Sequence, residues 1–334
     1  MGRGEEPSLE EVAPGCWAYV QPDGSWGYSN AGLITDHDAS LLVDTLYDLR
    51  LAARMAAKLR AAVPGFHGPG AVLNTHGNGD HCYGNGAFPG VPIVACEACA
   101  REMKEVPPKA MVDALRTARR LASLPWPLSA TPIPGGSLGE LGRWFLDCFG
   151  DFAFEDGDLV PPDTTFVGAL DWQVGDRRVE LRQVGPAHTA GDVLAWVPDA
   201  RVVYTGDILF SSGHPIIWDG SVAGWIAACD QILAWGPEVV VPGHGPVCGP
   251  AGVQRMRDYL VRLYAEVHAR FAAGMSVMEA ALDLDLRDWS DWGEAERVVV
   301  NVDAIYRDLR GDHARTHPWK LLAMMARLAH RRSR

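Results

Sequence analysis

Apolar and polar positions follow two alternating patterns along the chain, one with the period of a strand and one with the period of a helix. The segment "GLITDHDASLLVDT" predicts two strands joined by a turn at its Asp and His residues, and the next segment, "LYDLRLAARMAAKLRAAV", predicts a helix. "AVLNTH" and "VPIVAC" predict two further strands. Strand-like runs return at "TFVGALDWQVGDRRVELRQV", "DVLAWVPDARVVYTGD" and "PEVVVPGHG", and helices are expected from "GPAGVQRMRDYLVRLYAEVHARF" onward. The alternation predicts an α/β fold.

A region at about residues 97–160 interrupts this alternation. It begins with "EACAREMKEVPPKAMVDALRTARRLASL", which is predicted to be helical with a break at Pro-Pro, and continues into a stretch rich in Pro, Gly and aromatic residues. Because no Ser/Gly-rich linker divides the chain, we expect one elaborated domain over residues 1–312, with this insertion and a helical extension at about 250–312. Residues 313–334 form a basic tail that is expected to be helical. Its stripe of Leu321, Met325 and Leu328 would pack on the parent domain or on a second subunit.

The composition argues against several classes of function. A formal net charge of −12 disfavours a nucleic-acid surface, which needs a basic face. The seven cysteines are scattered and odd in number, so we expect no disulfide framework and a reducing compartment. The segment "MGRGEEPSLEEVAPG" lacks the apolar core of a signal peptide. No apolar run in the sequence is as long as the roughly 18 residues that a membrane-spanning helix needs. We therefore expect a cytoplasmic protein without a membrane or nucleic-acid partner; the sequence leaves a homo-oligomer open.

Side chains that bind metals follow predicted strands at four places in the sequence. These side chains are His76, Asp80 and His81 in "LNTHGNGDHCYGN", His188 in "VGPAHTAGD", Asp207 in "VVYTGDILF" and His244 in "VVVPGHGPV". Gly77 and Gly79 would disfavour a helix in the first loop and let the backbone turn tightly. Imidazole and carboxylate groups suit zinc or iron, and sites in open α/β sheets form beyond the strand ends. The pattern therefore favours a metal site over the alternative of Asx-rich turns with surface histidines.

These motifs, in this order, resemble the metallo-β-lactamase fold superfamily over about residues 30–245. The HxHxDH loop of that family is matched by "HGNGDH" with one departure, at Asn78. The resemblance implies an αββα sandwich with a one- or two-metal centre. It assigns His76, residue 78 and His188 to one metal and Asp80, His81 and His244 to the other, with Asp207 bridging them. It also makes Asp44, in "LLVDT", a residue that supports the site, although a turn-stabilising aspartate is an equal alternative.

Asn78 stands where the family has a histidine, and an amide oxygen is a weaker ligand for zinc than an imidazole nitrogen. In one interpretation the first pocket still fills, held mainly by His76, His188 and Asp207 with help from the Asn78 oxygen. In the other, a single metal is held by Asp80, His81, Asp207 and His244. We favour two metals because every other ligand position is intact. Zinc (Zn2+) is the expected cofactor, with iron or manganese as alternatives.

A metal centre of this kind predicts hydrolysis of an activated carbonyl, because a bound divalent metal lowers the pKa of water to about 7. Asp80 or Asp207 would orient the resulting hydroxide and carry its proton. The expected substrate is a small or medium acyl compound such as a thioester, ester or lactone. Two alternatives are an iron-dependent redox enzyme of the same fold and a non-catalytic metal-binding protein. The sulfur-dioxygenase type of redox enzyme depends on the histidine that is absent at position 78.

Several further residues have both a functional and a packing interpretation. His214 could stabilise an oxyanion or contact substrate, or it could simply pack in its loop. Cys82 is expected to pack, and Cys96 and Cys99 form a lone CxxC pair without a special role. The insertion contributes five aromatic residues that could line an apolar pocket beside the metals or form the core of the insertion itself: Trp126, Trp144, Phe145, Phe149 and Phe152. No complete ligand set is predicted among His313, His317 and His330.

Overall fold

A computed structural model of the protein describes residues 6–22, 24–133, 136–155, 157–311 and 316–332. Its strands are β1 (Ser8–Ala13), β2 (Cys16–Val20), β3 (Ala31–Asp36), β4 (Ala39–Val43), β5 (Ala71–Leu73), β6 (Ile93–Cys96), β7 (Pro132–Ile133), β8 (Gly136–Ser137), β9 (Thr164–Phe166), β10 (Ala169–Val174), β11 (Arg177–Gln183), β12 (Val193–Val197), β13 (Val202–Tyr204) and β14 (Val239–Val241). Its helices are α1 (Leu49–Ala62), α2 (Gly79–Cys82), α3 (Glu97–Glu102), α4 (Pro108–Ala122), α5 (Leu138–Phe149), α6 (Val222–Trp235), α7 (Pro250–Ala272), α8 (Val277–Asp283), α9 (Val298–Arg310) and α10 (Pro318–Arg332).

Two sheets carry the fold. The first has the order β1-β2-β3-β4-β5-β6-β9 and is antiparallel as far as β4, after which its strands are parallel. The second has the order β10-β11-β12-β13-β14, and only its last pair is parallel. The sheets pack so closely that a Cβ on Gly32 of β3 would lie 2.2 Å from the ring of Tyr204 of β13. With helices outside both sheets, this architecture is the αββα sandwich that the family resemblance implied.

The strands predicted before the metal-binding side chains are present, and the hairpin of β3 and β4 confirms the first predicted pair. The helix predicted next begins later than the apolar pattern suggested. Asp44 and Leu46 have positive φ angles of 62° and 70°, which interrupt any helix, and the Asp48 side chain caps α1 by accepting from Leu51 N at 2.7 Å. The segment before α1 is therefore a sharply turned loop that lies against the residues after β5.

The insertion consists of α3, α4 and α5 with a small hairpin of β7 and β8, and α4 packs on α5. The five aromatic residues of the insertion differ in burial. Trp126 is 82% exposed and lines no interior, so its predicted place in a pocket or core is wrong. The other four are buried; Trp144 and Phe149 contact Trp26 at ring distances of 5.9 and 5.7 Å. The core of the insertion is therefore shared with the loop between β2 and β3.

The C-terminal region is helical, as predicted, and α10 packs on α5 and α9. Leu321, Met325 and Leu328 are buried there, so the apolar stripe of the tail lies on the parent domain. His313 and the ends of the basic tail lie outside the described residues, and the predicted domain boundary at residue 312 stays a prediction. None of the helices in the described ranges is long and apolar enough to span a membrane.

Candidate metal centre

The loop after β5 brings three of the predicted side chains together. His76 lies in an irregular segment, whereas Asp80 and His81 lie on the single turn of α2, so the expectation that glycines would prevent a helix there is wrong. Gly79 has no positive φ angle, and its importance is spatial. A Cβ at Gly79 would lie 2.4 Å from the Tyr83 ring and 2.8 Å from the Tyr47 ring.

The first group of side chains consists of His76, His188, Asp207 and Asn78. Nε2 of His188 lies 3.4 Å from Oδ2 of Asp207, and Nε2 of His76 lies 3.8 Å from the same oxygen. Oδ1 of Asn78 is 3.1 Å from Nε2 of His188. The amide that departs from the family motif therefore points its oxygen toward the same place as the imidazole nitrogens.

The second group consists of Asp80, His81 and His244, again with Asp207. Nε2 of His244 lies 3.3 Å from Oδ2 of Asp80 and 3.5 Å from Oδ1 of Asp207. Nε2 of His81 lies 3.0 Å from Oδ1 of Asp207, but the two atoms are not aligned as a hydrogen bond. Within each group, three side chains each offer one ligand atom, and these atoms all lie within 4.8 Å of one another.

Asp207 belongs to both groups because its two oxygens face different histidines. Oδ2 faces His76 and His188, and Oδ1 faces His81 and His244. The carboxylate is held in a 3-10 turn, Gly206–Ile208, directly after β13. The loop after β14 fits against it so tightly that a Cβ on Gly243 would lie 2.1 Å from Asp207 Oδ1.

The hydrogen bonds behind the histidines determine which ring nitrogen faces the centre. Asp44 accepts from Nδ1 of His81 at 2.8 Å and from Oγ1 of Thr75 at 2.7 Å. The Thr75 hydroxyl donates its proton to Asp44, so its oxygen can only accept in the 3.1 Å contact with His76 Nδ1. Nδ1 of His76 therefore carries the proton of that contact. Asp44 thus orients two of the four rings, which favours the supporting interpretation of this residue.

The same reasoning applies to His188, whose Nδ1 lies 2.6 Å from the carbonyl oxygen of Ile216. A carbonyl can only accept, so Nδ1 carries the proton and Nε2 of the neutral ring presents a lone pair. That lone pair faces the oxygens of Asp207 and Asn78, which are also electron-rich. Such a convergence of acceptors is stabilised by a cation placed among them.

Two opposing effects set the pKa values of these groups: burial disfavours their charged forms, whereas neighbouring carboxylates favour charged histidines. Burial lowers the pKa of His76 well below its usual value, and the neighbouring His81 adds to this effect. Burial opposes charge on His244 too, but Asp207 and Asp80 outweigh it and raise the pKa of His244 to about 9. Burial is likewise outweighed at Asp80, where His81 and His244 hold the pKa at about 2. A metal that binds these groups would therefore have to displace protons from histidine.

The donor set fits divalent metal ions. Nε2 of His76, Nε2 of His81 and Oδ1 of Asp207 are buried and have no hydrogen-bond partner among the described residues. Buried polar atoms are seldom left unpaired in proteins, and a cation coordinated by these atoms would satisfy them. A third grouping, Asp36, His37 and Asp176, is exposed on the surface, where such clusters are common without a metal.

His214 is brought to a different place from the other predicted residues. Its Nδ1 lies 3.1 Å from the Tyr259 hydroxyl, and its buried ring packs edge-on against Tyr259 and Trp292 of the helical extension. These contacts are the ones expected if His214 packs in its loop and does not contact substrate. Cys82 is also buried, with its Sγ 3.3 Å from the carbonyl oxygen of Asn78. All seven cysteines are free thiols, as expected.

Three residues near the centre were not predicted from sequence. Thr75 links His76 to Asp44, and no motif distinguishes it from any other threonine at a strand end. Phe210 stacks on the His244 ring, with centroids 5.1 Å apart and planes within 5°. Arg297 lies over Phe210 with its guanidinium carbon 5.2 Å from the ring centroid. The contacts of Phe210 and Arg297 join residues that are far apart in the sequence, so no local pattern predicts them. Thr75 directly precedes His76, and this position was the one feature of the sequence that could have indicated its role.

Comparison with curated proteins gives partial matches. The hydroxyacylglutathione hydrolase of Brucella ovis is 32% identical over 83 residues, which cover 25% of this chain and 32% of that protein. The hydrolases of Brucella abortus and Brucella suis match over the same length with the same identity. The chain thus spans about a third of the length of these relatives.

Solved structures share the fold at low identity. The stereoselective inverting sec-alkylsulfatase of a Pseudomonas species aligns with a TM-score of 0.64 at 17% identity, over 90% of this chain and 50% of that one. A metallo-β-lactamase from Pontibacter korlensis aligns with a TM-score of 0.53 at 16% identity, over 77% of this chain and 99% of that one. A family model for the metallo-β-lactamase superfamily matches residues 24–244, which include every histidine and carboxylate of the two groups. The chain therefore belongs to the metallo-β-lactamase superfamily.

Proposed function

We propose that this protein is a metal-dependent hydrolase that cleaves an activated carbonyl compound, such as a thioester, ester or lactone, with a small or medium acyl group. The observation that carries the proposal is the position of Asp207, whose two carboxylate oxygens face two separate pairs of histidines. A carboxylate shared in this way suits a two-metal centre.

In the proposed centre every ligand comes from the two groups described above. The first metal would be held by His76, His188 and Asp207 with the oxygen of Asn78, and the second by Asp80, His81, His244 and Asp207. The supporting hydrogen bonds of Asp44 and of the Ile216 carbonyl leave Nε2 of His81 and His188 free to bind. Zinc is the expected metal, since imidazole and carboxylate ligands predominate.

When bound, a divalent metal would lower the pKa of water and polarise a carbonyl oxygen. The chain itself would supply proton transfer through Asp80, whose side chain is 16% exposed against 5% for Asp207. The neighbouring His81 and His244 keep Asp80 ionised, so its carboxylate can accept a proton at the open side of the centre and return it to the leaving group. Asp207, more deeply buried between the rings, would position the ligands.

The choice of substrate class is supported by the 83-residue match to hydroxyacylglutathione hydrolases, which suggests a thioester. The likeness to the sec-alkylsulfatase concerns the fold alone, yet it makes an alkyl sulfate a useful member of the assay. We therefore propose a panel of a thioester, a lactone, a carboxylic ester and a secondary alkyl sulfate, presented to the 334-residue chain.

The test combines metal analysis with this panel. The proposal expects about two zinc ions per chain, hydrolysis of at least one carbonyl substrate, loss of activity after chelation and recovery with zinc. Asp207→Asn should lower both the metal content and the activity. His37→Gln is the matched control, since it removes the histidine of the exposed grouping and should change neither.

Two other outcomes would replace the proposal. Stoichiometric iron with oxygen consumption would indicate a redox enzyme of the same fold. Full metal loading without turnover of any substrate in the panel would indicate a metal-binding protein that is not a hydrolase of these compounds. An unchanged metal content in Asp207→Asn would show that the two groups are not a shared centre.

A further inference from the structure

Arg297 is a cation buried in the wall beside the proposed centre. It lies at the start of α9 and is only 2% exposed. Its guanidinium carbon is 4.3 Å from the ring centroid of Trp26 and 5.2 Å from that of Phe210. The charged group is thus held between two aromatic rings, one from the loop between β2 and β3 and one from the loop after β13.

The guanidinium has far fewer partners than a buried arginine requires. Of its five N–H donors, one on Nη1 donates to the backbone oxygen of His214 at 3.1 Å, while Nε has no hydrogen-bond partner in the described part of the chain. Arg297 forms no ion pair with any described residue, and the carboxylate of the adjacent Glu296 accepts instead from Trp26 Nε1 at 2.8 Å. The two aromatic rings offset part of the cost of burying this charge, but a buried guanidinium without a carboxylate partner still favours an anion beside it.

Another arginine of the extension shows what compensation looks like in this protein. Arg270 has a side-chain exposure of 13%, and its Nη1 lies 2.7 Å from a carboxylate oxygen of Glu266. Its Nη2 lies 3.0 Å from a carboxylate oxygen of Asp283. Arg270 therefore has two acidic partners although it is less buried than Arg297, which has none among the described residues.

The position of Arg297 connects it to the candidate metal centre. Phe210 lies under the guanidinium and stacks on His244, and it also contacts the His188 ring at 5.8 Å. The loop that carries Trp26 is tied to the His244 loop, because Asn30 Nδ2 donates to the carbonyl oxygens of Pro242 and Gly245 at 3.0 and 2.7 Å. The cation thus adjoins the His244 side of the centre.

We propose that Arg297 forms an anion subsite that binds an oxyanion carried by the substrate, such as a carboxylate or a sulfate group, beside the His244 side of the centre. A guanidinium fork matches two oxygens of such a group, and the aromatic rings on either side exclude water and strengthen the pairing. The inference rests on the proposed function and narrows it: the preferred acyl substrate is anionic, with its charge outside the scissile carbonyl.

The experiment compares two substrates that differ only in charge. A glutaryl thioester carries a free carboxylate at the end of its acyl chain, and its methyl ester does not. We expect the wild-type protein to favour the anion in kcat/KM, mainly through KM, and Arg297→Met to lower this ratio of specificities by about 10- to 100-fold. Arg297→Lys should retain an intermediate preference, because it keeps the charge but loses the fork.

Arg255→Met is the matched control. Arg255 also lies over a tryptophan, 5.1 Å from the Trp292 centroid, but it is a surface residue paired with Asp291. The control should keep the wild-type ratio. An unchanged ratio in Arg297→Met would overturn the proposal, as would an equal decrease in Arg255→Met. If Arg297→Met fails to fold, as judged by circular dichroism, the ratio measured for Arg297→Lys decides.

Calorimetry separates this inference from the proposed function. Glutarate monomethyl ester and sodium sulfate are titrated into the zinc-loaded protein and its Arg297→Lys and Arg297→Met variants. If no thioester, lactone or carboxylic ester is hydrolysed, the proposed hydrolase activity has failed, yet weaker binding of these anions by about 10-fold in the variants would still support the subsite. Equal affinity in wild type and variants would overturn it. Binding of sulfate without the organic carboxylate would identify a free inorganic anion as the occupant and overturn the assignment to substrate.

Discussion

Asp44 and His81 are joined by a contact of 2.8 Å between a carboxylate oxygen and Nδ1 of the ring. The contact directs Nε2 of His81 toward Asp207, because the carboxylate holds the proton of the ring on the opposite nitrogen. Asp44 also accepts from the backbone N and the hydroxyl of Thr75, so the same carboxylate reaches His76 through one intervening side chain. Its backbone has a φ of 62°, an uncommon angle for a residue other than glycine.

Replacing Asp44 by Asn should weaken metal binding. One oxygen of Asp44 accepts from Thr75 N, and the other accepts from Thr75 Oγ1 and His81 Nδ1. An amide has a single accepting oxygen, so its N–H₂ group would face a donor on one side and disturb the support of the His81 ring. We expect zinc affinity, measured by chelator competition, to fall by about 10- to 100-fold. Asp48→Asn is the control, since Asp48 is equally buried but caps α1 and accepts from Ala153 N at 3.0 Å. Asparagine can keep the cap but would turn its N–H₂ group toward Ala153 N, so this variant should lower the free energy of unfolding by about 1 kcal/mol without changing zinc affinity. Equal zinc affinities in the two variants would contradict the assignment.

Replacing Asn78 by His should tighten binding at the first group. The Asn78 oxygen already lies 3.1 Å from His188 Nε2, and an imidazole nitrogen is a stronger zinc ligand than an amide oxygen. We expect the weaker of the two zinc affinities to rise by at least about tenfold. Asn78→Ala should lower that affinity instead. If neither substitution changes it, residue 78 lies outside the coordination sphere, and His76, His188 and Asp207 alone form the first group.

Gly243→Ala should disturb the centre through sterics alone. The added Cβ would lie 2.1 Å from Oδ1 of Asp207, so either the carboxylate or the loop after β14 must move. We expect a loss of about 1–3 kcal/mol in the free energy of unfolding, together with a reduced metal content. Gly249→Ala is matched in chemistry, yet its Cβ would meet nothing closer than the Glu238 carbonyl oxygen at 3.7 Å. That variant should bind metal normally; a similar loss of metal in both would show that the clash is not the cause.

His214→Asn distinguishes the packing interpretation of this residue from a catalytic one. The His214 ring contacts Tyr259 and Trp292, so we expect the free energy of unfolding to fall by about 1–3 kcal/mol while kcat changes by less than about threefold. Tyr259→Phe removes the hydroxyl that lies 3.1 Å from His214 Nδ1 and should give a smaller loss of the same kind. A decrease in kcat of about 100-fold or more in a stably folded His214→Asn variant would instead restore the oxyanion role.

The ligand positions could be predicted because each follows an apolar run that ends where the chemistry begins. β5, β13 and β14 are short buried strands, and His76, Asp207 and His244 lie a few residues beyond their ends. A strand with this pattern has few alternatives in an α/β fold, and glycines after it mark where the chain turns. The short distance of each of these residues from the end of the preceding strand was therefore the feature that predicted the ligand positions.

What could not be predicted depends on residues that are far apart in the chain. The Phe149 ring packs on Phe145 within the insertion at 4.8 Å, which is one of the two alternatives expected, but its contact with Trp26 at 5.7 Å was not predicted. The place of Arg297 follows from contacts with Trp26 and Phe210, and no local pattern indicates that a residue at a helix start will be buried. Side-chain packing of this kind is decided by the three-dimensional assembly, which periodicity does not describe.

The segment of residues 24–30 touches three parts of the protein at once. Trp26 bonds to Glu296 of the extension, Tyr28 meets Phe152 of the insertion at 4.9 Å, and Asn30 holds the turn that bears His244. The segment beside the His244 turn is consequently supported by the extension and the insertion, neither of which supplies a proposed metal ligand. Substitutions in those two parts would therefore change the surroundings of the centre while leaving its ligands in place.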